Sequence, residues 1–285
     1  VPDDQFPDAT LLVLAHGSTV NSDSAVAARH QAAVLRGRGI FAAVQECFWK
    51  QAPELEETLR GARTPRVFVA PLFIGPGYFA EEVIPVALGL KTPEAAGFSR
   101  AQRRAGQTLY YAQPVGLHPR MTEVLLARAR EVVARHPFPR APRPDETTLV
   151  VVGHGTERTA SSRLAVEAQV ERLRARGGYA EVRPAFMEDE PRVADCLGVA
   201  RSRHVVVVPF FISDGLHVAE DIPVLLGESP DRVQARVRAG QSAWRNPTER
   251  QGRLVWYAPG IGREPLLAEV ILDRVREAAA WPVPD

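Results

Sequence analysis

The chain has 285 residues, of which 45% are apolar and 24% charged, with a formal net charge of +1. That balance fits one large globular domain or two ordinary ones, and it gives no global field to attract nucleic acid or an anionic membrane. No apolar run approaches the roughly 20 residues that span a bilayer, and the start, VPDDQFPDAT, lacks an apolar secretory core, so a cytoplasmic protein without a membrane or nucleic-acid partner is expected.

In chain order, the first strand is 11–15, running into His16-Gly17-Ser18. A less apolar strand follows at 42–49, and β-branched-rich strands at 67–74 and 108–112. Segment 136–147, HPFPRAPRPDET, is too rich in proline and charge for a helix interior or a central strand. The pattern then restarts, with strands at 148–152, 180–187, 205–212 and 253–257. Between the first two of these lies a helix over 160–176, with Leu164, Val166, Ala168, Val170 and Leu173 toward one side and Gly177 as its cap.

The restart is a duplication. His16 and His154 stand 138 residues apart, and the same offset joins Gly39 to Gly177, Pro71 to Pro209 and Pro85 to Pro223. Repeats this long are duplicated domains and not solenoid units. The expected organisation is a domain over 1–137, a linker over 138–147 and a second domain over 148–285. The order βαβαβαβα predicts an α/β fold, with a mostly parallel four-stranded sheet and helices on both faces in each half.

Open parallel sheets bind ligands beyond the carboxyl ends of their strands. In the second half His154 follows the first strand, Glu188 ends the second, and His217 lies in the loop after the third. Singly, each has an ordinary structural reading: a hydrogen-bonding histidine, a solvated turn, a helix cap. Together on one rim, two imidazoles and a carboxylate can hold cobalt, iron, nickel or zinc, or relay protons near neutrality. His30, His118, His136 and His204 show no such convergence. Cys47 and Cys196 have no CxxC partner, so neither a zinc ribbon nor a disulfide framework is expected. The residue before each HG pair, Ala15 or Gly153, is not the arginine of a phosphohistidine enzyme, and no G-x-S-x-G elbow surrounds these sites. No phosphate-binding glycine loop is present either, so no nucleotide cofactor is expected.

VVVGHGT, RPAFMEDEP and VPFFISDGLHVAEDIP, with LAHGS and APLFIGPGYFAEEVIP in the first half, resemble the class II tetrapyrrole chelatases. The nearest group is the sirohydrochlorin cobaltochelatases and ferrochelatases, in the long form that fuses two domains. The resemblance implies ATP-independent insertion of a divalent metal into sirohydrochlorin, a macrocycle with eight carboxylates, in cobalamin or sirohaem biosynthesis. The metal is then a substrate, with Co2+ expected and Fe2+ or Ni2+ open. It also implies that His154 and His217 bind metal and accept protons, with Glu188 assisting.

The matching positions in the first half are His16, Lys50 and Phe79, so one complete site is expected, in the second half. The first half would form another wall for the substrate, with His16 facing the ring and Phe79 against its flat surface. Arg158 and Arg163 are candidates to pair substrate carboxylates. A tetrapyrrole or metal carrier and a zinc hydrolase remain as alternatives, and monomer and homodimer are both open.

Overall fold

A computed structural model of the chain describes residues 5–19, 22–104, 106–155 and 160–284. The chain divides into two compact units, Val1–His118 with Pro265–Asp285, and Pro119–Glu264.

The first unit holds strands β1 (Phe6–Ala15), β2 (Phe41–Phe48), β3 (Arg66–Pro71), β4 (Ala101–Arg104) and β5 (Gln107–Tyr111), in the order β2-β1-β3-β5-β4. The second repeats the plan with β6 (Thr147–Gly153), β7 (Glu181–Phe186), β8 (His204–Pro209), β9 (Thr248–Arg250) and β10 (Arg253–Tyr257), in the order β7-β6-β8-β10-β9. All pairings are parallel except β4 with β5 and β9 with β10. The central strands β1 and β6 carry unbroken apolar runs because both of their faces are covered. Leu11 to Leu14 and Leu149 to Val152 are fully buried.

Each sheet therefore has five strands where four were expected. The additions are short antiparallel edges, AQRR and TER, whose charged, half-exposed side chains carry no apolar signal. Charged edge strands of this kind also discourage edge-to-edge pairing with other chains.

The compact units differ from the sequence halves at their ends. The helix Met121–Arg135 belongs to the second unit, where the buried Thr122 hydroxyl donates to Gln169 at 2.8 Å and Arg128 lies 3.6 Å from Glu264. The helix Leu267–Ala279 belongs to the first, where Arg274 donates to the Pro114 carbonyl at 3.1 Å and Glu269 pairs with Arg38 at 2.6 Å. Both helices have the same apolar spacing, so the pattern predicts that each covers a sheet without saying which. Residues 136–143 form neither helix nor strand, and the turn Pro144–Glu146 leads into β6.

The helix Ala160–Arg176 ends as expected, with Gly177 at φ 70° and its N–H donating to the Leu173 carbonyl at 3.2 Å. Its buried face is Ala165, Val166, Gln169, Val170 and Leu173, whereas Leu164 is 56% exposed. The helix is rotated slightly from the expected face, and Gln169 turns inward to meet Thr122.

Candidate active site

The carboxyl ends of β6, β7 and β8 bring the three expected residues of the second unit together. Strand β6 stops at Gly153 and His154 begins the turn beyond it. Gly155 then takes φ 73°, and a side chain there would put its Cβ 2.6 Å from the Phe186 Cβ and 3.1 Å from that of Asp189. Only glycine gives this left-handed turn and this close approach to β7. The His154 carbonyl accepts the Glu188 N–H at 3.1 Å, which ties the end of β7 to the turn.

His217 opens a single π-helical turn, His217–Asp221, continued by the short helix Ile222–Leu225. Pro223 explains the wider turn. It has no N–H, so it cannot donate to an earlier carbonyl, and the Ile222 N–H reaches five residues back to the His217 carbonyl. The Val218 carbonyl, five residues before Pro223, receives the buried Tyr257 hydroxyl instead, at 2.6 Å. Burial first, then Asp214 and Asp221, raises the Tyr257 hydroxyl well above its ordinary value, so it stays a donor at neutral pH.

The His154 and His217 rings stand nearly perpendicular, 84° apart, with centroids 4.9 Å apart. The Phe211 ring lies 6.4 Å from the first and 6.1 Å from the second. Glu188 Oε1 is 3.6 Å from His154 Nδ1, which is buried and has no hydrogen-bond partner among the described residues. Burial holds His154 below the ordinary imidazole value; Glu188 opposes that shift, His217 adds to it and Asp221 opposes it. The ring is therefore neutral at pH 7, as a metal ligand or proton acceptor must be. Among the described residues no three His, Cys, Asp or Glu side chains form a ready-made metal enclosure. The cluster is an imidazole pair with carboxylates on its outer sides.

Asp221 had no role assigned from sequence. Its Oδ2 lies 2.7 Å from His217 Nδ1, across the π-turn. A carboxylate there favours the tautomer with Nδ1 protonated and leaves Nε2 free to bind metal. The i,i+4 spacing in HVAED was the available signal, since it places both residues on one side of a helical turn.

The first unit keeps the frame and His16 but not the other side chains of the cluster. Gly17 has φ 70°, the His16 carbonyl accepts the Lys50 N–H at 2.9 Å, and Phe79–Val83 is again one π-turn, with the Tyr111 hydroxyl donating to the Ala80 carbonyl at 3.0 Å. Phe79 replaces His217 against His16, with centroids 4.6 Å apart and rings at 77°. Val83 stands where Asp221 would be, and Lys50 where Glu188 would be. The histidine and both carboxylates have thus changed together.

Two candidates fare differently. Arg158 lies outside the described residues. Arg163 is committed within its own unit: its Nε donates to Glu167 at 2.9 Å, it pairs with Asp189, and its guanidinium lies 4.9 Å from the Phe186 ring centre. A substrate carboxylate would have to displace those partners, so the structure gives Arg163 the job of bracing the loop after β7. Both thiols are buried and pushed up to about 12 by burial, so without a metal they stay protonated at neutral pH. No helix among the described residues is long and apolar enough to cross a membrane.

The CbiX family model matches the chain twice, over residues 10–132 and 148–278. A probable sirohydrochlorin cobaltochelatase of Halobacterium salinarum is 37% identical over 96% of this chain and 93% of its own. A sirohydrochlorin cobaltochelatase of Methanopyrus kandleri is 35% identical over 95% of its own length but only 46% of this chain, about one repeat. Among solved structures, a multi-domain protein of Deinococcus radiodurans described as structurally similar to chelatases superposes with a TM-score of 0.76 at 27% identity. The match covers 95% of this chain and 55% of that longer protein.

Proposed function

The chain belongs to the CbiX family of chelatases, and we propose that it inserts Co2+ into sirohydrochlorin without ATP, in cobalamin biosynthesis. The observation that carries this reading is the perpendicular pair His154–His217, with Glu188 and Asp221 on its outer sides. Insertion exchanges two pyrrole N–H protons for one divalent ion, so the site must present the ion and remove two protons.

In this reading His154 and His217 hold the incoming ion with few ligands, which suits an ion that must be handed on. Glu188, whose side chain is 55% exposed, assists at the solvent side and takes protons outward. Asp221 keeps His217 presenting Nε2. Cobalt, iron and nickel all suit imidazole and carboxylate ligands, and the choice of Co2+ rests on the names of the relatives.

The test mixes the purified chain with sirohydrochlorin and excess Co2+ and follows the visible spectrum of the ring. Many equivalents of cobalt-ring product per chain support the enzyme. A spectral change that stops at one equivalent makes the protein a carrier and overturns the proposal.

A further inference from the structure

Because the two units repeat one fold, matched positions show what the histidine-bearing unit has altered. In the first unit Glu81, on the π-turn, pairs with Arg100 at 2.5 Å. The Arg100 guanidinium lies over the Phe98 and Tyr111 rings, 5.0 and 5.3 Å from their centres. This ion pair fills the space between the π-turn and the end of β5.

The matched residues of the second unit, counted from the shared π-turn and from Tyr111 and Tyr257, are Ala219 for Glu81 and Asn246 for Arg100. Ala219 is too short to cross the space. Asn246 folds back on the chain, donating to the Tyr257 carbonyl at 2.9 Å and accepting its N–H at 2.7 Å. A cavity of about 440 Å³ is left, with Asp214, Ala219, Trp244, Tyr257 and Arg263 in its wall. It lies directly behind the turn that carries His217.

Asp214 and Arg263 are also peculiar to this unit, since Pro76 and Leu117 occupy their places in the other. Asp214 Oδ1 accepts the Gly260 N–H at 2.6 Å, which fixes the carboxylate, and its Oδ2 lies 3.5 Å from Arg263 Nε. The guanidinium is thereby held by one edge. Its two Nη groups have no partner among the described residues, and its side chain is 53% exposed. A guanidinium with that edge open matches the two oxygens of a carboxylate. The rest of the wall mixes apolar and aromatic side chains with the polar Gln241, Ser242 and Asn246 and a second arginine, Arg135, which suits an acidic arm carried on an apolar body.

We propose that this cavity is a carboxylate subsite, taking one acidic arm of the macrocycle, with Arg263 pairing its carboxylate. The assignment rests on the proposed sirohydrochlorin reading and supplies the cation that Arg163 does not. Through Ala219 and Val218 the subsite adjoins His217, so an arm seated there places the ring beside the imidazole pair.

The test measures equilibrium binding of metal-free sirohydrochlorin by its absorbance, alongside Co2+ binding without the ring. Arg263→Gln should weaken ring binding by about tenfold, leave Co2+ affinity unchanged, and make no difference to a fully methyl-esterified ring. Arg263→Lys should recover part of the loss. Ala219→Glu with Asn246→Arg, which rebuilds the first unit's ion pair, should weaken ring binding in the same way; if that variant fails to melt cooperatively, Arg263→Gln decides alone. Unchanged ring binding in Arg263→Gln, or an equal loss with the ester, overturns the subsite. A wild-type chain that binds the ring through Arg263 yet never inserts metal would instead overturn the proposed reaction and leave the subsite standing.

Discussion

Replacing Asp221 with alanine isolates the carboxylate behind His217. The Nδ1–Oδ2 contact of 2.7 Å joins an imidazole to an ionised acceptor. Such bonds contribute roughly 1.5–3 kcal/mol when sheltered. Here the two side chains are 47% and 49% exposed, and solvent screening reduces the figure to about 1 kcal/mol. That corresponds to roughly a fivefold weaker Co2+ complex, near the low end of what outer carboxylates contribute at metal sites. The assay is a Co2+ titration of the chain without tetrapyrrole, paired with a thermal melt. The melt should fall by no more than about 1 kcal/mol, since the same contact is present without metal. Asp221→Asn keeps an acceptor oxygen on the ring and should lose less than alanine. Unchanged Co2+ affinity in Asp221→Ala would refute the positioning argument. A loss as large as that of His217→Ala would make Asp221 a ligand in its own right.

Three further outcomes follow from the same geometry. Gly155→Ala forces a Cβ to 2.6 Å from Phe186 at φ 73°, and should destabilise by about 1–3 kcal/mol while abolishing turnover, which a melt and the insertion assay read together. Because burial holds His154 below its ordinary 6.5, the unfolded chain binds a proton in the window just below pH 6.5 that the folded chain refuses. Folding stability should therefore rise with pH across that window, and denaturant titrations of His154→Gln should show a flatter profile. Deleting 265–285 strips Leu267, Val270, Ile271 and Val275, all fully buried, from the first unit. At about 1.5–3 kcal/mol for each such side chain, the loss rivals a whole domain's stability of about 5–15 kcal/mol. Circular dichroism should show the first unit unfolded, and an unchanged cooperative melt would contradict the assignment of that helix.

Much of this was legible because it depends on local pattern. Unbroken apolar runs such as Leu149 to Val152 marked the central strands, and the constant offset between His16 and His154 marked the duplication. The rim residues were legible because a parallel sheet sends its strand ends, and whatever follows them, to one side. What escaped depends on partners distant in sequence. Nothing in MTEVLLARAREVV says which sheet it will cover, and AQRR becomes a strand only because β5 lies beside it. Arg163 could be recognised as a cation, but its partners Glu167 and Asp189 had to be seen before its donors could be counted as spent. The same holds for Arg263, whose open edge follows from an Asp214 contact 49 positions earlier in the chain. Asp221 lay nearer to hand, and the paired loss of His217 and Asp221 in the other repeat was already written in Phe79 and Val83.

In the proposed reaction only the second unit holds the metal. Crystals of the chain soaked in Co2+ and measured at the cobalt absorption edge test it directly. One anomalous peak bridging His154 and His217 is expected, with none at His16 and Phe79. A peak at His16, or none between the two histidines at saturating Co2+, would contradict it.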